Sequence, residues 1–201
     1  KTRNIGFDII HTWTPQVAIF LNLLKIPYFL ELHELPTGRF GPLIYRTILK
    51  SKFPRKKFLP ITKALQNRFE HVFNFKFSPD EVVISPDGVD IERYSNLKSA
   101  SETRIQLGLP DKYSAVYTGH LYTGRGMSLL LDLAKLLPDI NFIWVGGRQK
   151  DVLLWENKIQ ESNIGNIILT GFVDNELIPN YQAAGDVLLM PYEKEISGSS
   201  G

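Results

Sequence analysis

The run Thr118-Gly119-His120-Leu121-Tyr122-Thr123-Gly124-Arg125-Gly126 sits between an apolar strand-like stretch and a helix-like one. Glycines at 119, 124 and 126 let the backbone approach a ligand closely. The helix that follows aims unpaired N–H groups and a partial positive charge back at the turn. Arg125 opposes that helix end unless an anion lies in front of it, and a guanidinium can grip phosphate oxygens in bidentate fashion. The chemistry indicated is capture of a diphosphate. The bland alternative is a surface turn with an incidental cation. The spacing matches neither G-x-G-x-x-G nor a P-loop, which argues against dinucleotide oxidoreduction and nucleotide hydrolysis.

Other chemistry-bearing residues are scattered. The four histidines, 11, 33, 71 and 120, are far apart and form no metal signature in sequence. The absence of cysteine excludes disulfides and thiolate metal sites. No metal and no other cofactor is therefore expected. Lack of cysteine says little about compartment, and a cytoplasmic setting is the default expectation. His71 falls on a polar helix face and reads as solvated.

The elements that must position these residues alternate almost from end to end. Phe7–His11 reads as a strand, followed by Thr14 as N-cap and Pro15 at the first helical position. Val17, Phe20, Leu21 and Leu24 then recur at helical spacing. Strands follow at 28–32, 58–61 and 82–84, with helices around 43–49 and over 63–73, where Leu65, Phe69 and Val72 share a side. After a polar stretch the alternation restarts. Strands are expected at 115–118, 141–145, 167–169 and 187–190, and helices at 125–137, 149–161 and 174–184. Apolar strands separated by helices are βαβ units, whose right-handed crossovers make parallel sheets with helices on both faces. The fold class is therefore α/β, with two doubly wound Rossmann-like domains. Residues 1–96 form the C-terminal part of one domain, 97–112 a linker, and 113–201 the N-terminal part of a second. Ligands in such sheets sit beyond the carboxyl ends of the strands.

The composition is that of a globular protein: 201 residues, 43% hydrophobic and 22% charged. No segment is apolar for long enough to span a bilayer. The first residues lack a signal-peptide core and run almost at once into a strand, so the chain is expected to begin inside a domain. The net charge of +2 conceals an asymmetry. Between Glu34 and Glu70 there is no acid, but nine cations: Arg39, Arg46, Lys50, Lys52, Arg55, Lys56, Lys57, Lys63 and Arg68. Interleaved with Phe40, Leu43, Ile44 and Leu49, they suggest contact with an anionic membrane surface, at about 1 kcal/mol per surface-proximal cation. A solvated face over an ordinary core is the alternative. No groove-reading or base-stacking module points to nucleic acid.

Four ordered segments resemble the retaining glycosyltransferases of GT-B architecture, the group 1 glycosyl transferases. The family's strand, G-R-L, K-G, L-P and V-G-x-G series reads here as Gly119-His120-Leu121, Arg125-Gly126, Leu137-Pro138 and Val145-Gly146-Gly147. Ile84-Ser85-Pro86-Asp87-Gly88-Val89-Asp90 resembles the interdomain turn I-P-N-G-V-D. Leu169–Val173 and Ala184–Pro191 resemble the F-x-G-x-V and A-D-V-x-x-x-P segments. The resemblance spans essentially the whole chain and implies a GT-B architecture with both domains incomplete.

The resemblance implies transfer of a sugar, of hexosyl type, from a nucleotide-diphosphate donor to an acceptor hydroxyl with anomeric retention. Gly119, His120, Arg125 and Gly126 would hold the donor diphosphate; Arg125 keeps the charge of the family's lysine, whereas His120 replaces an arginine. Val173 would meet the base through its backbone. His33, at the end of Leu32-His33-Glu34, and Glu193 or Glu195, after Pro191, would stand near the donor sugar as catalytic-site residues. His11 matches a common family strand and reads as structural. A second ribose-binding glutamate would lie beyond residue 201, so the chain by itself is expected to be inactive. The acceptor would be lipid-linked or a glycan, and the protein cytoplasmic with membrane association. Two alternatives stay open: a nucleotide-sugar epimerase on the same scaffold, and a non-catalytic module binding nucleotide sugar or membrane.

Overall fold

A computed structural model of the chain describes Gly6 and residues 8–191. The chain divides into two compact units, one running to Gly88 and the other beginning at Val89.

In the first unit, β1 (Ile10–Thr12), β2 (Tyr28–Leu32) and β3 (Lys56–Pro60) form a parallel sheet in the order β1-β2-β3. Helix α1 (Pro15–Leu24) connects the first two strands, α2 (Gly41–Lys50) the next two, and α3 (Lys63–Phe73) follows β3. Each crossover steps the same way along the sheet, so right-handed connections put all three helices on one face. The burial pattern follows. Tyr28, Leu30, Leu32 and Phe58 are buried in one cluster with Ala18, Leu21, Tyr45, Ile48, Leu65 and Phe69. Phe29, Glu31 and Leu59, on the other side of the pleat, are only half-buried.

Two expectations change here. Of the expected apolar stripe of α1 one residue, Leu21, is buried, together with Ala18 and Asn22, while Val17, Phe20 and Leu24 are 43%, 64% and 61% exposed. A helix that is apolar nearly all round carries no periodic signal for its inner face. Residues 82–84 do not make a strand. They form a single bridge, Phe58 to Val82, extended by Val83 N–H to Phe58 O at 3.0 Å and Ser85 N–H to Pro60 O at 3.0 Å. Within the basic stretch, Lys56 is buried and pairs with Glu81 at 2.8 Å, also donating to the Ser51 and Phe53 carbonyls.

The second unit is wound in both directions. Strands β4 (Ser114–Thr118), β5 (Asn141–Val145), β6 (Ile167–Gly171) and β7 (Val187–Leu188) form a parallel sheet of order β6-β5-β4-β7. Helices α5 (Met127–Leu136) and α6 (Gln149–Glu161) carry the chain from β4 outward to β6; α7 (Ile178–Ala183) returns it to the far side of β4. The reversal puts helices on both faces, and the core divides accordingly. Tyr117, Phe142 and Trp144 pack with Met127, Leu130, Val152 and Trp155. Val116, Ile143 and Val145 pack on the other face with Ile178 and Tyr181.

Residues 97–112 contain a helix, α4 (Ala100–Gln106), closed by a Ser99–Glu102 capping box. Buried Arg104 fastens it to the second unit, donating to Asp186 at 2.9 Å, the Ala184 carbonyl at 2.9 Å and Asp111 at 3.0 Å. The turn at Ile91–Tyr94 belongs there too. Arg93 donates to the Asn175 carbonyl, and Tyr94 to Gln182 at 2.8 Å, which in turn donates to Thr118 at 3.1 Å. No described helix is long and apolar enough to cross a membrane.

Candidate functional site

In the second unit the chain direction reverses between β4 and β7, and in sheets of this kind ligands bind beyond the carboxyl ends of the strands at such a reversal. The turn 119–126 leaves β4 at this point. Its glycines serve chain packing as well as access. A Cβ on Gly126 would lie 1.4 Å from the Pro191 carbonyl oxygen just past β7, and the residue has φ +71°. A Cβ on Gly146 would lie 2.5 Å from the Gly119 carbonyl oxygen. The Gly119 amide is itself engaged, donating to Val145 O at 2.9 Å.

Helix α5 starts at Met127, two residues later than expected, because the left-handed Gly126 is its N-cap. No side chain caps it and its first turn holds no acid. A helix end of this kind favours an anion. Arg125 stands immediately before it and donates to Tyr122 Oη at 2.7 Å, its guanidinium carbon 5.0 Å from the ring centre. The His120 ring lies 5.4 Å from the same phenol ring. Tyr122 therefore contacts both the Arg125 guanidinium and the His120 ring, a role that the sequence reading did not assign it. His120 itself is exposed, and its carbonyl accepts from Tyr117 Oη at 2.7 Å.

Val173, after β6, packs half-buried against the Val116, Ile143 and Val145 cluster. Glu193 and Glu195 lie outside the described residues.

In the first unit, His33 follows β2 on the rim of a cavity of about 590 Å³, lined also by Trp13, Pro15, Glu34, Pro36 and Tyr45. The cavity lies where β1 and β2 give way to the loops before α1 and α2. The Trp13 indole is 71% exposed, an apolar platform next to polar groups. Burial, together with the Glu34 charge, pushes the Tyr45 phenol up to about 12. That phenol is therefore neutral at physiological pH.

Strand register brings His11 of β1 beside Glu31 and His33 at the end of β2. His11 of β1 and His33 present Nε2 atoms 3.4 Å and 3.5 Å from the same Glu31 oxygen. A carboxylate oxygen of Asp87 joins Glu31 and His33, with ligand-capable atoms of all three within 4.8 Å of one another. Sequence spacing did not indicate Glu31. Asp87 did carry a signal, since an acid stands there in a turn whose family pattern has asparagine.

The fold is that of GT-B glycosyltransferases. The chain superposes on the Anabaena protein HepE, solved in complex with UDP, with a TM-score of 0.74 at 20% identity, covering 92% of this chain and 53% of that one. Sucrose-phosphate synthase of Thermosynechococcus elongatus gives 0.73 at 18% identity, over 94% and 51%.

Among curated proteins, an alpha-galactosylglucosyldiacylglycerol synthase of Streptococcus pneumoniae is 29% identical, covering 96% of this chain and 56% of that protein. A teichuronic acid biosynthesis glycosyltransferase of Bacillus subtilis is 25% identical, over 97% and 50%. The chain thus spans about half the length of the curated relatives it matches. No family model matches it.

Proposed function

We propose that the protein is a retaining glycosyltransferase that moves a hexosyl group from a nucleotide-diphosphate donor to an acceptor hydroxyl. The single observation that carries this reading is the anion-ready end of α5. Its N-cap is a glycine without a capping side chain, Arg125 adjoins it, and both lie at the reversal point of a doubly wound sheet. The sugar-nucleotide bond breaks with negative charge accumulating on the departing diphosphate. Fixed N–H dipoles and a guanidinium placed there before the reaction stabilise that charge without reorganising. Arg125 and the α5 amides bind the diphosphate, exposed Gly119 lets the turn approach it, Gly126 lets α5 start against the Pro191 carbonyl, and His120 adds an exposed imidazole. Val173 contributes backbone to the base.

His33 and the cavity beside it form the acceptor side, where Trp13 offers a face for the apolar side of a sugar ring. Glu193 or Glu195 completes the donor-sugar contacts. UDP is the first nucleotide to test, because the similar HepE structure was solved with it. A lipid-linked acceptor is the first acceptor class to test, because a relative is named for a diacylglycerol product. The exposed cations from Arg39 to Arg68, all but buried Lys56, would bring the protein to an anionic membrane.

The test incubates the intact protein with labelled UDP-hexoses, with and without lipid acceptors, and determines the anomeric configuration of any product. Acceptor-dependent transfer with retention supports the reading. Conversion of the donor without an acceptor would replace it with an epimerase. Tight nucleotide binding without turnover would leave a binding module.

A further inference from the structure

We infer that the cavity beside His33 is a binding site for an uncharged sugar ring, so that the acceptor presents a glycosyl group to it and not a phosphate. That this sugar is the acceptor rests on the transferase reading; the site itself is built within the first unit. Every lining residue falls between Trp13 and Tyr45. The volume of about 590 Å³ is within the usual range of small-molecule sites, about 300–1,000 Å³.

Three groups define the occupant. Trp13 is 71% exposed on the cavity wall, whereas Trp144 and Trp155 are buried. Its indole offers an apolar face to the C–H side of a pyranose ring and leaves the hydroxyls at the rim of the ring free. Tyr45 is 5% exposed and packs edge-on against Phe69 at 5.3 Å, and among the described residues nothing hydrogen-bonds its hydroxyl. Buried polar groups are normally paired, so on a cavity wall this phenol has its partner in the occupant. Burial and the Glu34 charge keep it protonated, and it therefore donates as well as accepts. Glu34 is the third group: its carboxylate only accepts, and two neighbouring hydroxyls can donate to its two oxygens. A carboxylate beside a neutral phenol matches groups that each donate and accept, as sugar hydroxyls do.

A phosphate is the competing occupant, because α1 and α2 both begin on the cavity wall and helix starts favour anions. The lining opposes it. Pro15 and Pro42 stand in the first turns and take one N–H donor from each helix start. The Thr14 amide is spent on Thr12 Oγ1 at 3.0 Å. No lysine or arginine lines the cavity, and Glu34 carries charge of the wrong sign. His33 is the only basic side chain on the wall, and its Nε2 already faces Glu31 at 3.5 Å.

The test is binding of methyl α-glucoside and methyl α-galactoside to the intact protein in the absence of donor. It is read by saturation-transfer nuclear magnetic resonance on the sugar and by the indole N–H signals of the protein. At least one of the two sugars should bind saturably, shifting the Trp13 signal and leaving those of Trp144 and Trp155 in place. Glucose 6-phosphate should bind about 10-fold or more weakly, because its phosphate meets the Glu34 charge. Glu34→Gln should weaken the neutral sugar about 10-fold, the loss of a charged hydrogen bond, and narrow its preference over glucose 6-phosphate. Tyr45→Phe, which keeps the ring packing, and Trp13→Ala should each weaken it about 3- to 10-fold. No saturable binding of either sugar, equal or tighter binding of glucose 6-phosphate, or wild-type affinity in both Glu34→Gln and Tyr45→Phe would overturn the inference. Transfer from UDP-hexose is assayed separately. Sugar binding without transfer leaves this site standing and removes the transferase; transfer to a phosphorylated acceptor without sugar binding does the reverse.

Discussion

Arg125 rests on Tyr122, donating to its phenol oxygen at 2.7 Å with the guanidinium 5.0 Å from the ring centre. The contact restrains a long cation at the mouth of α5, which reduces the rotamer entropy lost when a ligand arrives. Arg125→Ala should weaken nucleotide-diphosphate binding about 10- to 100-fold, the value of a charged hydrogen bond. Arg125→Lys should recover only part of it, because a point charge replaces a planar fork. Tyr122→Phe should cost less than Arg125→Ala and leave kcat nearly unaltered. Calorimetry with UDP checks the series; wild-type affinity in Arg125→Ala would remove the clamp.

Gly126→Ala is expected to be strongly destabilising. The added methyl would collide with the Pro191 carbonyl oxygen, a backbone atom, and φ +71° is unfavourable for any L side chain. A loss of about 2–4 kcal/mol is anticipated from steric overlap and strain together. Thermal unfolding of the variant measures it. Gly165→Ala, with open space around its Cβ position, is the control and should shift stability little.

Arg104 holds α4, Asp111 and Asp186 through one buried guanidinium. Its removal strands Asp186, which also accepts from the Ser114 amide at 2.8 Å where β4 begins. Arg104→Ala should cost about 3 kcal/mol. Arg104→Met combined with Asp186→Asn should recover part of the loss, because the one carboxylate that then lacks the guanidinium, Asp111, is exposed to solvent. Urea denaturation of the single and double variants decides between these outcomes.

Glu70 provides a pH dependence with a definite sign. Lys76 at 2.6 Å, followed by Gln66 and the Phe77 amide, holds its carboxyl below the ordinary 4.5. A depressed native value means that the unfolded chain binds the proton more readily. The stabilisation is therefore fully present above the ordinary value and is lost as pH falls through the lowered one. The stability gap between wild type and Glu70→Gln should be constant near neutrality and shrink as pH drops from about 5 to about 2. Urea unfolding at several pH values checks this; a gap that widens on acidification would reverse the assignment.

Much of the architecture was legible because its causes are local. Expected and observed bounds coincide for β2, α3, β5 and α6, where caps and period changes are clear. The expected start of α5 at Arg125 moved to Met127 because a left-handed glycine cannot be told from a helical one by residue type. Residues 82–84 read as a strand but make a single bridge, since strand length depends on the partner available. The inner face of α1 could not be read, because Val17, Phe20 and Leu24 are as apolar as the residues that are buried.

The amino-acid order alone determined the alternation of strands and helices, the glycine-bearing turn before α5 and the segments that resemble a glycosyltransferase. Each depends on residues within one or two turns of chain. Tertiary structure alone decided that the first sheet is wound one way and the second both ways. It also gathered His11, Glu31, His33 and Asp87. Those relations follow from strand register and the closing of long crossovers. Register is set by which side chains can be buried together.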